Sequence, residues 1–214
     1  MYKNCYVTRG EEYNHYNIHL WDDNGYSVEE FQNYGYIECQ EAQATHRGLG
    51  NEPLKKVTSW DRDTTGLHYA DHNRGNIHTK FLIDKYGING EVSKTHREVF
   101  FDIEIEMGGA LTPTYIQKAP KPITSIAWWD KQLDPDILIG YNSDYFDIPY
   151  LYYRIKNRLG DRHAKRLSPI GIVEERNPKY HPDQPIKIAG VSSLDYMRLH
   201  KKYSFQQEPS MKLD

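Results

Sequence analysis

The sequence contains few cysteines and no long apolar segment. Cys5 and Cys39 are its only cysteines, and neither belongs to a CxxC pair. This scarcity excludes a disulfide framework and favours a protein of a reducing compartment. The first residues, MYKNCYVTRGEEY, are polar, and no apolar run approaches the length of a membrane span, so we expect neither a signal peptide nor a transmembrane helix. We therefore expect a cytoplasmic protein that has no membrane partner.

The sequence also lacks a large excess of either charge, and it lacks the common phosphate-binding motifs. Its 27 Lys and Arg residues against 30 Asp and Glu residues give a formal net charge of −3. The chain as a whole is not basic, so its net charge does not indicate nucleic-acid binding. A local basic groove is nevertheless compatible with this net charge. The patterns GxGxxG, GxxxxGK[ST] and GxSxG do not occur, which argues against dinucleotide binding, a P-loop and a serine hydrolase.

The chain divides into two regions with different sequence patterns, and its 214 residues suffice for one large or two small domains. The first region is polar and rich in turn signals such as NG, RG and GLG. Its best strand candidates are Tyr13–Trp21, Gly35–Cys39 and Thr79–Ile83. The second region carries sharper patterns. We predict two domains, residues 1–97 and residues 98–214.

The second region predicts an α/β (α+β) fold with a mixed sheet. Apolar and charged residues alternate over residues 99–106, which is typical of a half-buried strand. If the next strand is antiparallel to this one and the third parallel on its other side, the short connection Asp130–Pro135 can join them. The further elements that we predict are strands at Pro122–Trp129 and Asp136–Tyr141, a helix from about Pro149 to Gly160, a hairpin at Ile172–Gly190 and a helix capped by Ser193.

Three carboxylates in this region are candidates for a metal site. Asp102 and Glu104 lie two residues apart in the first strand, so their side chains share a face about 6.5–7 Å apart. That spacing suits a hard cation or a pair of cations. Asp147 follows the third strand and precedes a helix, and functional sites of α/β sheets gather at this edge. The alternatives are a charged outer strand face and a helix cap.

Other polar groups have weaker patterns. His68 and His72 have the spacing of a helical zinc pair, but the glutamate of HExxH is missing and the surroundings predict a loop, so we do not expect zinc. A set of basic residues could contact phosphates or form a solvated helix face: Lys121, Lys156, Arg158, Arg162, Lys165 and Arg166.

Several segments resemble the family B DNA polymerases. FDIE (Phe101–Glu104) resembles the first exonuclease motif of that family, and YNSDYFD (Tyr141–Asp147) resembles the second. Tyr153–Pro169 and Leu194–Phe205 resemble the segment that follows in the replicative polymerases of T4-like bacteriophages. The similarity is strong from about Val99 to Asp214 and faint before it. The chain resembles the N-terminal part of such a polymerase: its N-terminal domain and most of its 3′–5′ exonuclease domain.

The resemblance implies a ribonuclease-H-like exonuclease domain behind a small, β-rich N-terminal domain. It implies two divalent ions, Mg²⁺ or Mn²⁺, with Asp102, Glu104 and Asp147 as catalytic metal ligands, and Asn142 and Phe146 as groups that position the 3′ end. The implied partners are single-stranded or primer–template DNA and the remaining polymerase polypeptide, with RNA a further candidate for the first domain. The implied location is the cytoplasm of the host.

The sequence departs from the family pattern in two respects. The third exonuclease motif, a Tyr and an Asp, would follow the last residue, and the palm and fingers motifs of a polymerase are absent. The connection Asp130–Pro135 is also shorter than in relatives, which predicts an exposed edge strand carrying Trp128 and Trp129, and with it poor stability alone or docking to another chain. We expect a proofreading site that is incomplete without the rest of the polymerase. The alternatives are a free-standing exonuclease that recruits Asp195 or Asp214, and a non-catalytic module that binds nucleic acid or a partner.

Overall fold

A computed structural model describes residues 1–58, 76–87, 90, 92–106, 108–129 and 135–204. The chain forms two compact units, Met1–Ser93 and Lys94–Asp214. No helix in these described segments is long and apolar enough to cross a membrane. The polymerase roles of the two predicted domains stay predictions.

The described residues of the first unit form two small antiparallel sheets and one α-helix. Its strands are β1 (Tyr2–Arg9), β2 (His15–Asp22), β3 (Gly25–Gln32), β4 (Gly35–Glu38), β5 (His46–Arg47) and β6 (Pro53–Val57), and its helix is α1 (Ile77–Tyr86). One sheet has the order β1-β2-β3 and the other β4-β6-β5. Ile18 and Leu20 of β2 pack with Phe81 of α1 to form the core of this unit.

The predictions for the first unit were partly right. The predicted strands Tyr13–Trp21 and Gly35–Cys39 correspond to β2 and β4, whereas β1 and β3 were not predicted. The prediction of a strand at Thr79–Ile83 was wrong, because these residues belong to α1. Asn76 caps this helix: its side-chain oxygen accepts a hydrogen bond from the Thr79 N–H at 2.7 Å.

The second unit is built on a four-stranded mixed sheet with the order β12-β9-β7-β8. β8 is antiparallel to β7, β9 is parallel to β7 on its other side, and β12 is parallel to β9. This arrangement confirms the predicted mixed sheet. Its strands are β7 (Glu98–Ile105), β8 (Ile123–Trp129), β9 (Ile137–Gly140) and β12 (Ser192–Asp195), and β10 (Val173–Glu175) and β11 (Ile186–Ile188) form a separate antiparallel hairpin.

In the part of the second unit that the structure describes, four α-helices complete the fold: α2 (Pro113–Lys118), α3 (Asp147–Leu159), α4 (Asp161–Ala164) and α5 (Tyr196–Tyr203). The long helix α3 buries an apolar face on the sheet, where Ile148 and Tyr152 pack in one cluster with Ile103 of β7. α3 begins two residues before the predicted start at Pro149, because proline is tolerated in the first helical turn. Gly160 ends the helix, as predicted.

The C-terminal part of the sheet differs from the prediction. We predicted that Ser193 caps the last helix, but Ser192–Asp195 form strand β12 and Asp195 is the cap of α5. The predicted edge strand is observed among the described residues, since β8 pairs only with β7. Trp128 on β8 is 53% exposed. The Trp129 side chain and the connection after it lie outside the described residues.

Candidate active site

The strand β7 presents Asp102 and Glu104 on its solvent-exposed face, as the alternation predicts. Ile103 between them points the other way into the core. β9 pairs with β7 only as far as Phe100. Beyond that point β9 no longer supplies acceptors to β7, and the backbone N–H of Ile103 has a side-chain partner instead.

That partner is Asp147, the first residue of α3. Its side chain is only 2% exposed, and its Oδ1 accepts a hydrogen bond from the Ile103 N–H at 3.0 Å. The carboxyl group therefore lies against β7, next to Asp102. The fold thus brings together acidic residues from the two segments that the sequence singled out.

The surroundings of this pair disfavour the ionised form of Asp147. Burial raises the pKa of Asp147 to about 7, and the N–H of Ile103 opposes the rise. The Asp102 carboxylate adds to the rise through its negative charge and a hydrogen bond to Asp147. A cation bound at this position would reverse these effects, because it would favour the ionised form.

The described residues contain no group of three or more His, Cys, Asp or Glu side chains placed to hold a metal ion. Asp102 and Asp147 are in contact. Glu104 lies on the same exposed strand face as Asp102, but it does not complete a group of three acidic residues with them. The assignment of these three residues as metal ligands stays a prediction. Asp214, His68 and His72 lie outside the described residues.

The loop between β9 and α3 contains the other two predicted site residues. Asn142 has a left-handed backbone conformation, with φ of 59°, which Asn adopts more readily than most residues. The Phe146 ring packs against the core and lies 5.6 Å from the ring of Tyr150. This contact gives Phe146 a packing role, and its predicted role at the 3′ end of a substrate stays a prediction.

The same loop approaches β7 closely because Gly140 has no side chain. A Cβ atom at Gly140 would lie 2.9 Å from the carbonyl oxygen of Phe101 and 2.5 Å from the Cβ atom of Ser143. Either distance is too short for a real contact. Glycine at this position therefore allows the loop before Asp147 to pack directly on the strand that carries Asp102.

Asp195, which the sequence offered as an alternative ligand, has a different position. It is 4% exposed, and its two oxygens accept hydrogen bonds from four backbone N–H groups, those of Asn142, Asp144, Met197 and Arg198. Its reading as a helix-end carboxylate is confirmed. The bonds to the loop before α3 were not predicted, because no local pattern announces a contact with residues so distant in the sequence.

Asp144 is a further buried carboxylate that sequence reasoning missed. It is buried, and it accepts hydrogen bonds from the Arg198 guanidinium at 2.9 Å, from Gln184 Nε2 at 3.4 Å and from the Ser193 hydroxyl. The ion pair with Arg198 compensates its charge. Asp144 therefore joins the loop before α3 to β12 and α5.

A cavity of about 650 Å³ lies beside the same loop. Its walls come from α2, α3 and the β10–β11 hairpin, and they include the aromatic rings of Tyr145 and Tyr153 and several prolines. Three residues of the predicted basic set form ion pairs: Lys121 with Glu106 at 3.3 Å, Lys156 with Glu175, and Lys165 with Asp161 at 2.8 Å. The cavity lining combines these aromatic and apolar groups with polar side chains such as Glu175, Arg176 and Asn177.

Comparison with known proteins gives consistent matches. Residues 123–214 match the family model for the DNA polymerase family B exonuclease domain. The DNA-directed DNA polymerase of Escherichia phage RB69 is 45% identical over 89 residues, and that of Enterobacteria phage T4 is 42% identical over 88 residues. These alignments cover 39% and 40% of this chain but 10% of each relative, so the chain corresponds to a small part of the relatives' length.

A solved structure extends the comparison to most of the chain. The family B DNA polymerase from the hyperthermophilic archaeon Pyrobaculum calidifontis aligns with a TM-score of 0.57 over 94% of this chain and 37% of that chain. The sequence identity is 14%, so the match concerns the fold alone.

Proposed function

The chain resembles the N-terminal part of a T4-like bacteriophage family B DNA polymerase and carries an exonuclease domain of that family, and from this premise we propose that it contributes a 3′–5′ proofreading site. The proposed catalytic residues are Asp102, Glu104 and Asp147. The contact between Asp147 and Asp102 at the edge of β7 is the observation that carries this proposal. Two acidic side chains from separate segments meet here, and the Asp102 side chain lies on the exposed face of β7.

The chemistry of the three carboxylates fits divalent ions such as Mg²⁺ or Mn²⁺, which prefer oxygen ligands. Asp147 is buried beside a second acid, an arrangement that a cation would stabilise. Bound ions would supply an activated water and charge stabilisation for the leaving 3′ oxygen. We propose that further oxygen ligands come from the substrate phosphate and from the third motif in the remaining polymerase polypeptide.

The proposed substrate is the unpaired 3′ end of a DNA primer. The cavity next to the loop before α3 supports this, because the partly exposed ring of Tyr145 offers an aromatic surface for a base. Stacking of bases on aromatic side chains is a common way to hold single-stranded nucleic acid without sequence preference. In this proposal Asn142 and Phe146, which belong to the same loop as Tyr145, position the terminal nucleotide.

Two measurements on the isolated chain test the proposal. The first is Mn²⁺ binding, followed by the electron paramagnetic resonance signal of free Mn²⁺. The second is nucleotide release from 3′-labelled single-stranded DNA with Mg²⁺ or Mn²⁺. We compare the wild type with the Asp102→Ala/Glu104→Ala double variant. Glu98→Ala is the matched control, since Glu98 lies on the same exposed face of β7.

The outcomes separate the candidate functions. Mn²⁺ binding that is lost in the double variant and retained in the control supports the proposed site. Nucleotide release by the chain alone, lost in the same variant, would show that this chain needs no further polypeptide for catalysis. DNA binding with no Mn²⁺ binding above the double variant would overturn the proposal and favour a non-catalytic binding module.

A further inference from the structure

Asp195 connects two parts of the second unit that are distant in the sequence. Its Oδ1 accepts hydrogen bonds from the N–H of Asn142 at 3.0 Å and from the N–H of Met197 at 2.9 Å, and its Oδ2 accepts one from the N–H of Asp144 at 3.1 Å. A helix cap requires only the bonds to the first turn of α5. The two bonds to the loop before α3 are additional and serve a different segment.

The bonded loop is the one that leads to Asp147. Asn142 and Asp144 lie between Gly140, which ends β9, and Asp147, which begins α3. Two backbone N–H groups of this loop, those of Asn142 and Asp144, donate to the buried Asp195 carboxylate, while the Asp147 carboxyl group at its end accepts from β7. The conformation of the loop thus fixes where the Asp147 carboxyl group lies relative to Asp102.

We propose that Asp195 is a positioning residue of the exonuclease site: it holds the loop at residues 141–146 and thereby keeps Asp147 beside Asp102. The inference rests on the function proposed above. Removal of a residue that hydrogen-bonds and orients a metal ligand, without contacting the metal itself, typically lowers metal affinity 10- to 100-fold. A residue that only capped α5 would affect stability and leave metal affinity unchanged.

Two substitutions separate the two roles of Asp195. Asp195→Ser retains a good N-cap for α5, because a serine hydroxyl accepts bonds from the first helical turn, but it is too short to keep both loop bonds. Asp195→Asn retains one oxygen and places an amide N–H₂ group at the other position, where it faces the N–H of Asp144. Both variants therefore loosen the loop while leaving an acceptor for α5.

The test is an Mn²⁺ titration of the full chain by electron paramagnetic resonance. We expect Asp195→Ser to weaken Mn²⁺ binding about tenfold and Asp195→Asn to weaken it in the same direction. Asn76→Ala is the matched control, because it removes the cap of α1 in the other unit. It should lower the melting temperature without changing the Mn²⁺ affinity.

Asp147→Asn in the same titration distinguishes failure of the inference from failure of the proposed function. If Asp147→Asn leaves Mn²⁺ binding unchanged, the proposed site is wrong and the inference falls with it. If Asp147→Asn weakens binding and Asp195→Ser does not, only the inference is overturned. Hydrogen exchange on the wild type is an independent check: Mn²⁺ should slow exchange of the Asn142 and Asp144 amides, and unchanged exchange would contradict the inference.

Discussion

Removal of one hydroxyl group in the core of the second unit should have a large effect on its stability. The Tyr150 side chain on α3 is 0% exposed. Its hydroxyl donates a hydrogen bond to the Lys121 carbonyl at 2.8 Å and accepts one from the Lys121 N–H at 3.0 Å. Tyr150→Phe leaves both backbone groups without this partner, and each such loss costs about 1–3 kcal/mol. Because Lys121 is half-buried and water reaches part of it, we expect a total loss of about 2 kcal/mol.

Urea unfolding followed by circular dichroism measures this loss as a difference in the free energy of unfolding. The control is Tyr196→Phe, since the Tyr196 side chain on α5 is 59% exposed and should contribute less than about 0.5 kcal/mol through its hydroxyl. The reasoning would be refuted if Tyr150→Phe and Tyr196→Phe lowered the free energy of unfolding equally. It would also be refuted if Tyr150→Phe cost less than about 0.5 kcal/mol.

Three further predictions concern pH and the sheet edge. The folded-state pKa of Asp147, about 7, lies above its usual value of 3.8, so the metal-free protein should lose stability as pH rises between these values. Asp147→Asn should therefore stabilise the metal-free protein at pH 8 by up to about 4 kcal/mol and not at pH 3, as thermal unfolding at both pH values would show. For Glu175, burial alone would raise the pKa, but hydrogen bonds from Lys156 and two tyrosines outweigh it and hold the pKa below 4.5. The ionised Glu175 carboxylate stabilises the fold at neutral pH, and this stabilisation is lost as pH falls through the lowered folded-state pKa of Glu175. Glu175→Gln should therefore reduce the free energy of unfolding by about 1 kcal/mol at pH 7 and by progressively less below pH 4, measured by urea unfolding. The exposed edge strand β8 should pair with a second copy of the chain, so Trp128→Lys on this strand should reduce self-association in sedimentation velocity with little change in stability, and an unchanged sedimentation profile would contradict this.

The elements that could be predicted from the sequence are those with a local pattern. The alternation around Asp102 and Glu104 defines both a strand and its exposed face, and the apolar period before Gly160 defines α3. The mixed strand order follows from the short connection between β8 and β9, since few topologies allow it. In these parts local propensity and tertiary structure agree, which is the condition for a reliable prediction.

The missed elements depend on contacts between distant residues. Strand β12 exists because Ser192–Asp195 pair in parallel with β9, and nothing in a four-residue segment announces that pairing. The hydrogen bond between Asp195 and Asn142 joins residues that are 53 positions apart in the sequence. The strand prediction for Thr79–Ile83 was wrong because it relied on local propensity. The β-branched and aromatic side chains of this segment favour a strand, but the Asn76 cap and packing on β2 stabilise a helix. In this segment tertiary packing outweighs the secondary-structure propensity of the individual residues.

The long sequence separation of the Asp195 bonds has a consequence for synthesis on the ribosome. The segment that leads to Asp147 emerges first. The Asp195 carboxylate, which accepts hydrogen bonds from its backbone N–H groups, follows 51 residues after Asp144 and 53 residues after Asn142. At about 5–20 residues per second, translation of that interval takes about 3–10 seconds. During this time β7, β8 and α3 can form, while the parallel pairing of β9 with β12 must wait. On this proposal, the acidic pair reaches its final geometry only after Asp195 has left the exit tunnel.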